Sequence, residues 1–376
     1  MEAAFNAFDP DLYVATLHSR PEKPIDNTAR PDEEPATQRG YHFEPLNLEE
    51  RDPDISTIAS QAAAPVDLFL QFLPEKIVEK WVQYTKEAAD RYSRENHDFS
   101  RSWKPVNLAE VYLFIGIIIY IGLHREADLR SYWAANTFEK FLPDHPISRL
   151  MTRDRFFQLF RRVRIYNEAA LDPTESHDPL NYQKVDEYSN FLQNEAISLW
   201  KPGLRVAVDE CIIGYKGRSK ITLTIPSKPD PTGFKVWAIA QEGYFLRWLF
   251  HTPSTTFGPA AGDIMRRPPR ELEEKSLNPT QSVVVALVNL LLSASYHVFM
   301  DNLFSSPSLF RILRDRGIGA TGTARVNSGI HEDLVSFKKA DNEGKLKWAW
   351  GKYQLIPTPD DKVRVFKYVT PHISPY

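Results

Sequence analysis

The stretch Tyr296-His-Val-Phe-Met-Asp-Asn-Leu-Phe-Ser305 reads as a buried β-strand that runs directly into a turn. Its apolar run ends on the charged Asp301, and Asn302 follows at once. A carboxylate at the rim of an apolar strand is costly to bury unless a partner compensates its charge. The pattern therefore predicts one of two arrangements around Asp301, either a structural hydrogen-bond network or a metal ion.

The composition of the chain favours an intracellular protein with a sizeable core. Its 376 residues predict two or three domains, and 42% of them are hydrophobic. The single cysteine, Cys211, excludes an internal disulfide framework and indicates a reducing compartment. The acidic N-terminus lacks a signal-peptide pattern, and the apolar run at residues 111–123 is shorter than the roughly 18 residues that span a membrane. We expect a buried helix there and no membrane partner.

Charge is unevenly distributed along the sequence. The net charge of −3 argues neither for nor against a nucleic-acid partner, but residues 1–60 carry 5 Lys or Arg and 13 Asp or Glu. An acidic, proline-rich leader of this kind buries too little apolar surface to offset its loss of conformational entropy. We expect residues 1–61 to be disordered, and to act as a solubilising tail rather than as a dedicated binding segment.

The first half of the chain has the apolar periodicity of helices, and residues 62–200 are assigned to a helical dimerisation and DNA-binding domain. Asn107 and Glu110 have the form of a capping box, and Thr152 can cap the start of a later helix. The predicted helices cover residues 65–92, 107–123, 131–141, 151–165 and 185–200.

The period changes in the second half, where short apolar runs alternate with turns. Strands are predicted over residues 204–215, 222–225, 234–240, 244–250, 296–300 and 319–326, and helices over residues 280–295 and 306–317. This order predicts an α/β domain with a mixed sheet. It covers residues 201–328, and residues 329–376 add two further strands joined by a turn.

Asp209 occupies the same kind of position as Asp301, because it interrupts the apolar strand predicted over residues 204–215. If the two strands lie side by side, the two carboxylates face each other and repel. A Mg²⁺ ion between them turns the repulsion into ligation, since hard oxygen ligands suit this ion. From residue types alone, strand-end aspartates are more often turn caps than metal ligands, and both interpretations stay open.

Several longer sequence motifs around these aspartates resemble motifs of the piggyBac transposase family, and they occur in the same order along the chain. They are Val208-Asp-Glu-Cys-Ile-Ile-Gly-Tyr-Lys-Gly-Arg-Ser219, Ile225-Pro-Ser-Lys-Pro-Asp-Pro-Thr-Gly-Phe-Lys-Val-Trp237, Met300-Asp-Asn-Leu-Phe-Ser-Ser-Pro-Ser-Leu-Phe310 and Gly319-Ala-Thr-Gly-Thr-Ala-Arg325. The segments that begin at Val66, Phe114 and Met151 also look like the helical region of that family. The resemblance extends over residues 62–370.

The resemblance implies an RNase H-like catalytic domain that cuts and pastes DNA at TTAA sites. In the family, three aspartates hold two Mg²⁺ ions, and Asp209 and Asp301 match the first two as catalytic and metal-binding residues. The third belongs to a Gly-Val-Asp word beyond an insertion domain, and this sequence has no such word. The surroundings of Asp341, Asp360 and Asp361 do not match it. The cysteine-rich zinc domain of the family is also absent, so no zinc site is expected.

We therefore expect the chain to stop within the β-rich insertion, before the third aspartate. Two carboxylates can hold one Mg²⁺ weakly, with waters completing its octahedron, whereas a two-metal clamp needs more acidic ligands. The expected result is that DNA cleavage and strand transfer are lost or nearly lost in this chain alone. The alternatives are a non-catalytic, domesticated DNA-binding protein and a degraded transposon relic.

Basic residues on one helix and beside the aspartates are candidate ligands of DNA phosphates. For each helical arginine, a solvated helix face is an equally good interpretation. The resemblance implies that Lys228 and Lys235, which belong to the motif at residues 225–237, also contact the DNA backbone. The candidates are Lys216, Arg218, Lys220, Lys228, Lys235, Arg153, Arg155, Arg161, Arg162 and Arg164.

The partners follow from the resemblance. It implies double-stranded DNA, namely transposon ends and a TTAA target, and a second copy of the chain in a homodimer. A small-molecule substrate is not expected. DNA chemistry and the lack of disulfides favour a nuclear location, and otherwise a cytoplasmic one.

Overall fold

The computed structural model divides the chain into two compact units. It describes residues 43–55, 64–95, 103–134, 143–172, 180–215, 217–226, 228, 231–251, 277–292, 294–346, 348 and 352–368. Within these residues, unit 1 consists of residues 64–192, and unit 2 consists of residues 43–55 and 193–368. The predicted domain boundaries near residues 61, 200 and 328 stay predictions.

The described part of unit 1 is built from α-helices and two short 3-10 turns. The helices are α1 Pro65–Phe72, α2 Glu75–Glu95, α3 Leu108–Leu123, α4 Ile147–Leu150, α5 Arg153–Arg162 and α6 Leu180–Leu199, and the 3-10 turns are Leu129–Trp133 and Glu168–Ala170. The residues of α6 from Gln193 onward belong to unit 2. The single helix predicted over residues 65–92 is divided at Leu73, whose φ is −140° and ψ is 63°. Pro74 is the reason, because a residue that precedes proline is driven out of the helical region.

Helices α2, α3 and α5 each contribute one face to the core of unit 1. Val78, Val111, Phe156 and Leu159 are fully buried there. Helix α3 was expected to be buried, but its opposite face is open, and Leu123 is 77% exposed. None of the described helices has both the length and the apolarity that crossing a membrane would need.

Unit 2 is organised around a six-stranded mixed sheet. The strands of the described chain are β1 Asp54–Ile55, β2 Trp200–Lys201, β3 Arg205–Gly214, β4 Leu223–Thr224, β5 Thr232–Gln241, β6 Tyr244–Phe250, β7 His297–Met300, β8 Gly319–Gly322, β9 Tyr353–Pro357 and β10 Arg364–Tyr368. The strand order of the large sheet is β4-β5-β3-β7-β8, and β6 pairs with β5. The pairs β3–β7 and β7–β8 are parallel, and the pairs made by β5 are antiparallel.

Three further helices belong to unit 2, namely α7 Pro279–Asn289, α8 Pro307–Asp315 and α9 Glu332–Asn342. Helix α7 is apolar almost all round, and it is held at its start by a capping box between Asn278 and Gln281. Its buried residues pack with Val206 and Val208 of β3 in one core cluster. Successive side chains of a strand point to opposite faces, so Asp209 lies on the face away from this core.

Part of the predicted disordered leader is ordered in the structure. Strand β1 pairs with β2, and the Arg51 carbonyl accepts a hydrogen bond of 2.7 Å from the Leu204 amide. The Arg51 guanidinium also donates to the Ser295 carbonyl at 3.2 Å. These contacts supply the partners that a free acidic segment would lack, so the expectation of disorder is wrong for residues 43–55. Residues 1–42 and 56–61 lie outside the described residues.

Candidate metal and nucleic-acid site

The two aspartates singled out by the sequence lie on neighbouring strands. Strands β3 and β7 run parallel, with Val208 opposite Met300, so Asp209 and Asp301 follow at the same level of the sheet. Neighbouring strands lie about 4.8 Å apart. Both aspartates are exposed to solvent. The side-by-side placement of the two strands is therefore confirmed, and two carboxylates meet at one edge of the sheet.

Each carboxylate also has a local hydrogen bond. Oδ1 of Asp209 accepts from the amide of Glu210 at 2.8 Å, and Oδ1 of Asp301 accepts from the amide of Leu303 at 2.8 Å. The hydrogen bond from the Leu303 amide to Asp301 caps the turn after β7. A turn cap was one of the two interpretations of these aspartates from the sequence, and a metal ligand was the other. Capping and ligation are compatible, because a carboxylate has about four lone-pair sites on its two oxygens.

The turn after β7 is held in a tight arrangement beside β8. The Asp301 carbonyl accepts from the amide and the hydroxyl of Ser305, at 3.2 and 2.8 Å. A side chain at Gly322 would place its Cβ 2.4 Å from the Met300 carbonyl oxygen, so only glycine allows this close approach of β8 to β7. Asn302 accepts from Nε of Arg325 at 3.2 Å and takes part in this turn.

A lysine ammonium lies beside the two aspartates. The turn between β4 and β5 folds back on itself, with the Lys228 amide donating to the Ile225 carbonyl at 3.1 Å. Nζ of Lys228 lies 3.2 Å from Oε1 of Glu210 and donates to the Glu210 carbonyl at 3.3 Å. Burial lowers the pKa of Lys228, but the hydrogen bond to Glu210 and the charges of Glu210, Asp209 and Asp301 raise it above its ordinary value overall. Lys228 thus carries a stable positive charge next to both carboxylates.

Sequence reasoning missed Glu210. Its side chain is 12% exposed, and its Oε2 atom is buried without a hydrogen-bond partner among the described residues. Burial raises the pKa of this carboxyl, against the opposing charges of Lys235 and Lys228. Glu210 lies opposite Trp237 on β5, so it faces the core, whereas Asp209 next to it faces outward. The alternation of side chains along β3 could have indicated it, because Glu210 falls on the same face of the strand as the buried Val206 and Val208.

The structure corrects the prediction that Lys235 contacts DNA. Its side chain is 1% exposed, and its ammonium lies 4.1 Å from the ring centroid of Trp237. Strand alternation places Lys235 on the same inward face as Trp237. A buried ammonium cannot reach a phosphate on the surface, so Lys235 is an internal cation that compensates the charge of Glu210.

A second correction concerns Arg155 of α5. Its Nε and Nη2 atoms donate to both carboxylate oxygens of Glu110, at 2.6 and 2.7 Å, and its side chain is 14% exposed. Its guanidinium also lies 5.1 Å from the ring centroid of Trp103. Asn107 caps α3 as predicted, by accepting from the Glu110 amide at 2.9 Å, but the Glu110 side chain binds Arg155. Arg155 therefore holds α5 against α3 and is not offered to DNA.

The other predicted DNA ligands occupy varied positions. Arg153 of α5 is 56% exposed and lies 3.1 Å from its neighbour Asp154. Arg218 and Lys220 are exposed in the loop after β3, and Arg161 is half-buried. Lys216 lies outside the described residues. Arg162 and Arg164 line a cavity at the end of α5.

The residues at the two-aspartate edge fit a Mg²⁺ ion that keeps most of its waters, since carboxylate oxygens are its preferred protein ligands. Across the described ranges, no group of three or more His, Cys, Asp and Glu side chains is arranged to hold a metal ion. The late aspartates are engaged elsewhere. Asp341 pairs with Lys367 at 2.8 Å, and Asp360 pairs with Arg311 at 2.9 Å.

Known proteins resemble this chain over most of its length. A family model described as "Transposase IS4" matches residues 64–366. The human PiggyBac transposable element-derived protein 2 is 26% identical over 284 residues, which cover 73% of this chain and 42% of that protein. The human PiggyBac transposable element-derived protein 3 is 26% identical over 310 residues, covering 78% of this chain and 47% of that protein. The chain thus spans less than half the length of the curated relatives it matches.

A solved structure shows the same fold. The cryo-EM structure of a piggyBac transposase synaptic complex with hairpin DNA superposes with a TM-score of 0.58 and 19% identity, covering 82% of this chain and 58% of that chain. This likeness confirms the predicted fold class, a helical region followed by an RNase H-like α/β domain with a mixed sheet. Since the transposase model matches well over half of its residues, the chain belongs to the piggyBac family of transposases and transposase-derived proteins.

Proposed function

We propose that this chain binds double-stranded DNA and that Asp209 and Asp301 hold a Mg²⁺ ion against a DNA phosphodiester. One observation carries the proposal, namely the parallel pairing of β3 with β7 that sets the two aspartates at one level. Because like charges so close to each other repel, a divalent cation between them is favourable. The DNA in the solved piggyBac transposase complex supports a nucleic-acid partner for this fold.

The chain's own residues have distinct roles in this proposal. When bound, the metal polarises a phosphoryl oxygen and lowers the pKa of a coordinated water. Asp209 and Asp301 bind the ion. Lys228 compensates negative charge at the edge of the site, where a phosphate enters, and Glu210 keeps its ammonium in place. Arg218 and Lys220 provide exposed positive charge in the loop that follows β3.

The finer features of the function come from the family resemblance. We infer that the DNA partners are transposon ends and TTAA target sites, that the chain forms a homodimer and that it acts in the nucleus. The described residues bring two carboxylates to this edge of the sheet, which is fewer than a two-metal clamp requires. We therefore propose that the 376-residue chain on its own binds Mg²⁺ weakly and shows little or no cleavage and strand transfer.

A second candidate function is DNA binding without catalysis. The observation that favours it is the position of Lys228, whose charge interacts with Glu210, Asp209 and Asp301 together. An ammonium at this place balances the carboxylates without a metal ion. In that case DNA affinity is independent of Mg²⁺ and falls steeply with salt.

One experiment separates the two candidates. A supercoiled plasmid rich in TTAA sites is incubated with the purified 376-residue chain in Mg²⁺ or in EDTA, and nicking and DNA binding are measured in parallel. The same assay uses the double variant Asp209→Asn, Asp301→Asn, which keeps the size and the acceptor oxygen of both side chains. Weak Mg²⁺-dependent nicking that the variant loses supports the metal site. Nicking that survives in the variant refutes it, and DNA binding that is equal in all four conditions, with no nicking, establishes the non-catalytic candidate.

A further inference from the structure

Unit 1 contains a cavity of about 330 Å³ where the end of α2 meets the end of α5. Its walls carry three arginines, Arg91, Arg162 and Arg164, and one acid, Glu168. Ala88 and Ala89 are largely buried and form part of the lining, and their short side chains leave room at this part of the wall. The described walls therefore combine an excess of positive charge with room for a ligand.

The arginines are held in place by their neighbours. Glu168 lies between two of them, with Arg91 at 3.0 Å on one oxygen and Arg164 on the other. Arg164 also donates to the Arg161 carbonyl at 3.1 Å, and its backbone amide donates to the buried hydroxyl of Thr85 at 2.9 Å. These contacts limit the freedom of the guanidinium groups before any ligand binds.

Arg162 is fixed in a different way. Its guanidinium carbon lies 4.1 Å from the ring centroid of Tyr92, which is a cation–π contact. The stacked guanidinium keeps its edge N–H donors in a planar fork. One carboxylate thus orients two arginines and an aromatic ring orients the third, so that all three line the same cavity.

We propose that this cavity is a binding site for a phosphate group, and that the phosphate belongs to the backbone of DNA. Guanidinium forks match tetrahedral phosphate oxygens in geometry as well as in charge. Among the described residues of the lining, one carboxylate lies with three arginines, so this part of the wall carries a net positive charge. The volume is ample for a phosphate and several waters, since a water takes about 30 Å³ of liquid. The choice of DNA as the source rests on the proposed function.

Only some of the arginines at residues 153–164, which the sequence grouped as DNA ligands, line the cavity. It includes Arg162 and Arg164, adds Arg91 from a different helix, and excludes Arg155, which is bound to Glu110. Glu168 and Tyr92 are positioning residues, because they act by orienting the arginines. The sequence did not indicate this set, since Arg91 and Arg162 belong to helices far apart along the chain.

The test measures the salt dependence of DNA binding by the 376-residue chain. Fluorescence anisotropy with a short duplex gives the dissociation constant between about 50 and 200 mM salt. For Arg91→Gln, the slope of log K against log salt is expected to become shallower by about 0.9, the change for one lost phosphate contact. Arg149→Gln is the matched control, because Arg149 is 73% exposed in the same unit and lies outside the cavity.

A second measurement identifies the source of the phosphate. The unfolding temperature of the wild type and of Arg91→Gln is measured with inorganic phosphate and with chloride at equal ionic strength. If phosphate stabilises only the wild type while the two DNA slopes are the same, the cavity binds phosphate from another source and the DNA assignment is wrong. If neither quantity differs between the two proteins, the cavity is no phosphate site, although DNA binding by the wild type would leave the proposed function intact.

Folding is checked by circular dichroism for each variant. If Arg91→Gln is not folded, Arg162→Gln replaces it, because Arg162 contacts the ring of Tyr92 and lines the same cavity. The same shallower slope is expected for that variant. An unchanged slope in folded Arg162→Gln overturns the proposal.

Discussion

Nζ of Lys228 lies 3.2 Å from Oε1 of Glu210, and this contact joins the β4–β5 turn to the strand that carries Asp209. The pair is asymmetric, because Glu210 is nearly buried while Lys228 is 29% exposed. A buried carboxylate is expensive unless it is paired, so the contact stabilises both the strand and the turn. The contact thereby holds Lys228 at the edge where the two aspartates meet.

The first prediction follows from this contact. Lys228→Met removes one of two compensating charges and is expected to raise the pKa of Glu210 further. A carboxyl with a raised pKa in the folded state stabilises at low pH, and this stability is lost as the pH rises through that pKa. The variant should therefore lose about 1–3 kcal/mol near pH 8 and clearly less near pH 5. Urea unfolding at both pH values measures the difference.

Lys201→Met is the matched control for that change. Lys201 pairs with Asp54 at 3.0 Å on the surface, where its side chain is 59% exposed. Exposed pairs contribute about 0–1 kcal/mol, so the loss should be small and nearly equal at both pH values. An equal loss at pH 5 and pH 8 in Lys228→Met would show that Glu210 does not depend on Lys228.

The second prediction concerns removal of the candidate metal ligands. Adding Mg²⁺ to the wild type is expected to raise the unfolding temperature, and a ligand at ten times its Kd stabilises by about 1.4 kcal/mol. Asp301→Asn should abolish this gain and should be at least as stable as the wild type in EDTA, because repulsion with Asp209 is relieved. Asn keeps the oxygen that accepts from the Leu303 amide.

Asp315→Asn serves as the comparison for the metal experiment. Asp315 lies at the end of α8, pairs with Lys362 at 2.6 Å and is 54% exposed. Its Mg²⁺ response should equal that of the wild type. A Mg²⁺ gain that persists in Asp301→Asn would remove Asp301 from the set of ligands.

The third prediction is that Arg155 contributes to the stability of the folded state and not to DNA binding. Arg155→Gln leaves Glu110 without its bidentate partner in a site where the two side chains are 14% and 22% exposed. Losing one member of a largely buried pair costs about 3–5 kcal/mol. The salt slope of DNA binding should stay unchanged. Arg153→Gln on the same helix should cost less than about 1 kcal/mol, since Arg153 is 56% exposed.

The fourth prediction concerns acid sensitivity through His297 of β7. Burial, and then the charge of Arg205, lower the pKa of His297, whose Nε2 lies 2.8 Å from the hydroxyl of Thr321 on β8. A group with a lowered pKa contributes stability above its unfolded value, and this stability is lost as the pH falls through the folded pKa. His297→Gln should therefore flatten the loss of stability between pH 7 and pH 5. Identical pH curves for the two proteins would contradict this assignment.

Local signals in the sequence predicted most of the secondary structure. Asn107 and Ser306 were placed correctly at helix starts, because capping depends on a few neighbouring residues. The strand that carries Asp209 and the strand before Asp301 were also found, since both have clear apolar runs. Helix α9 was missed, because its apolar pattern is weak and only Leu334 is buried.

Side-chain pairing could not be read from the sequence in the same way. Lys235 resembled a DNA ligand, yet cross-strand register places it opposite Ile212 and within reach of Glu210. Arg155 resembled a phosphate ligand, but its partner Glu110 comes from another helix. Which charges are internal depends on tertiary register, and periodicity along one segment does not determine that register.

The parallel pairing of β3 with β7 has a consequence for the order of folding. About 90 residues separate Asp209 from Asp301 along the chain, and two parallel strands cannot be joined by a tight hairpin. The hairpin β5–β6 and helix α7 are local, whereas the contact between β3 and β7 closes a long loop and is entropically costly to form early. The two aspartates therefore come together in a slow, non-local step of folding. During synthesis, Asp209 therefore leaves the ribosome well before β7 does. Until β7 has emerged and paired with β3, the two-aspartate site does not exist.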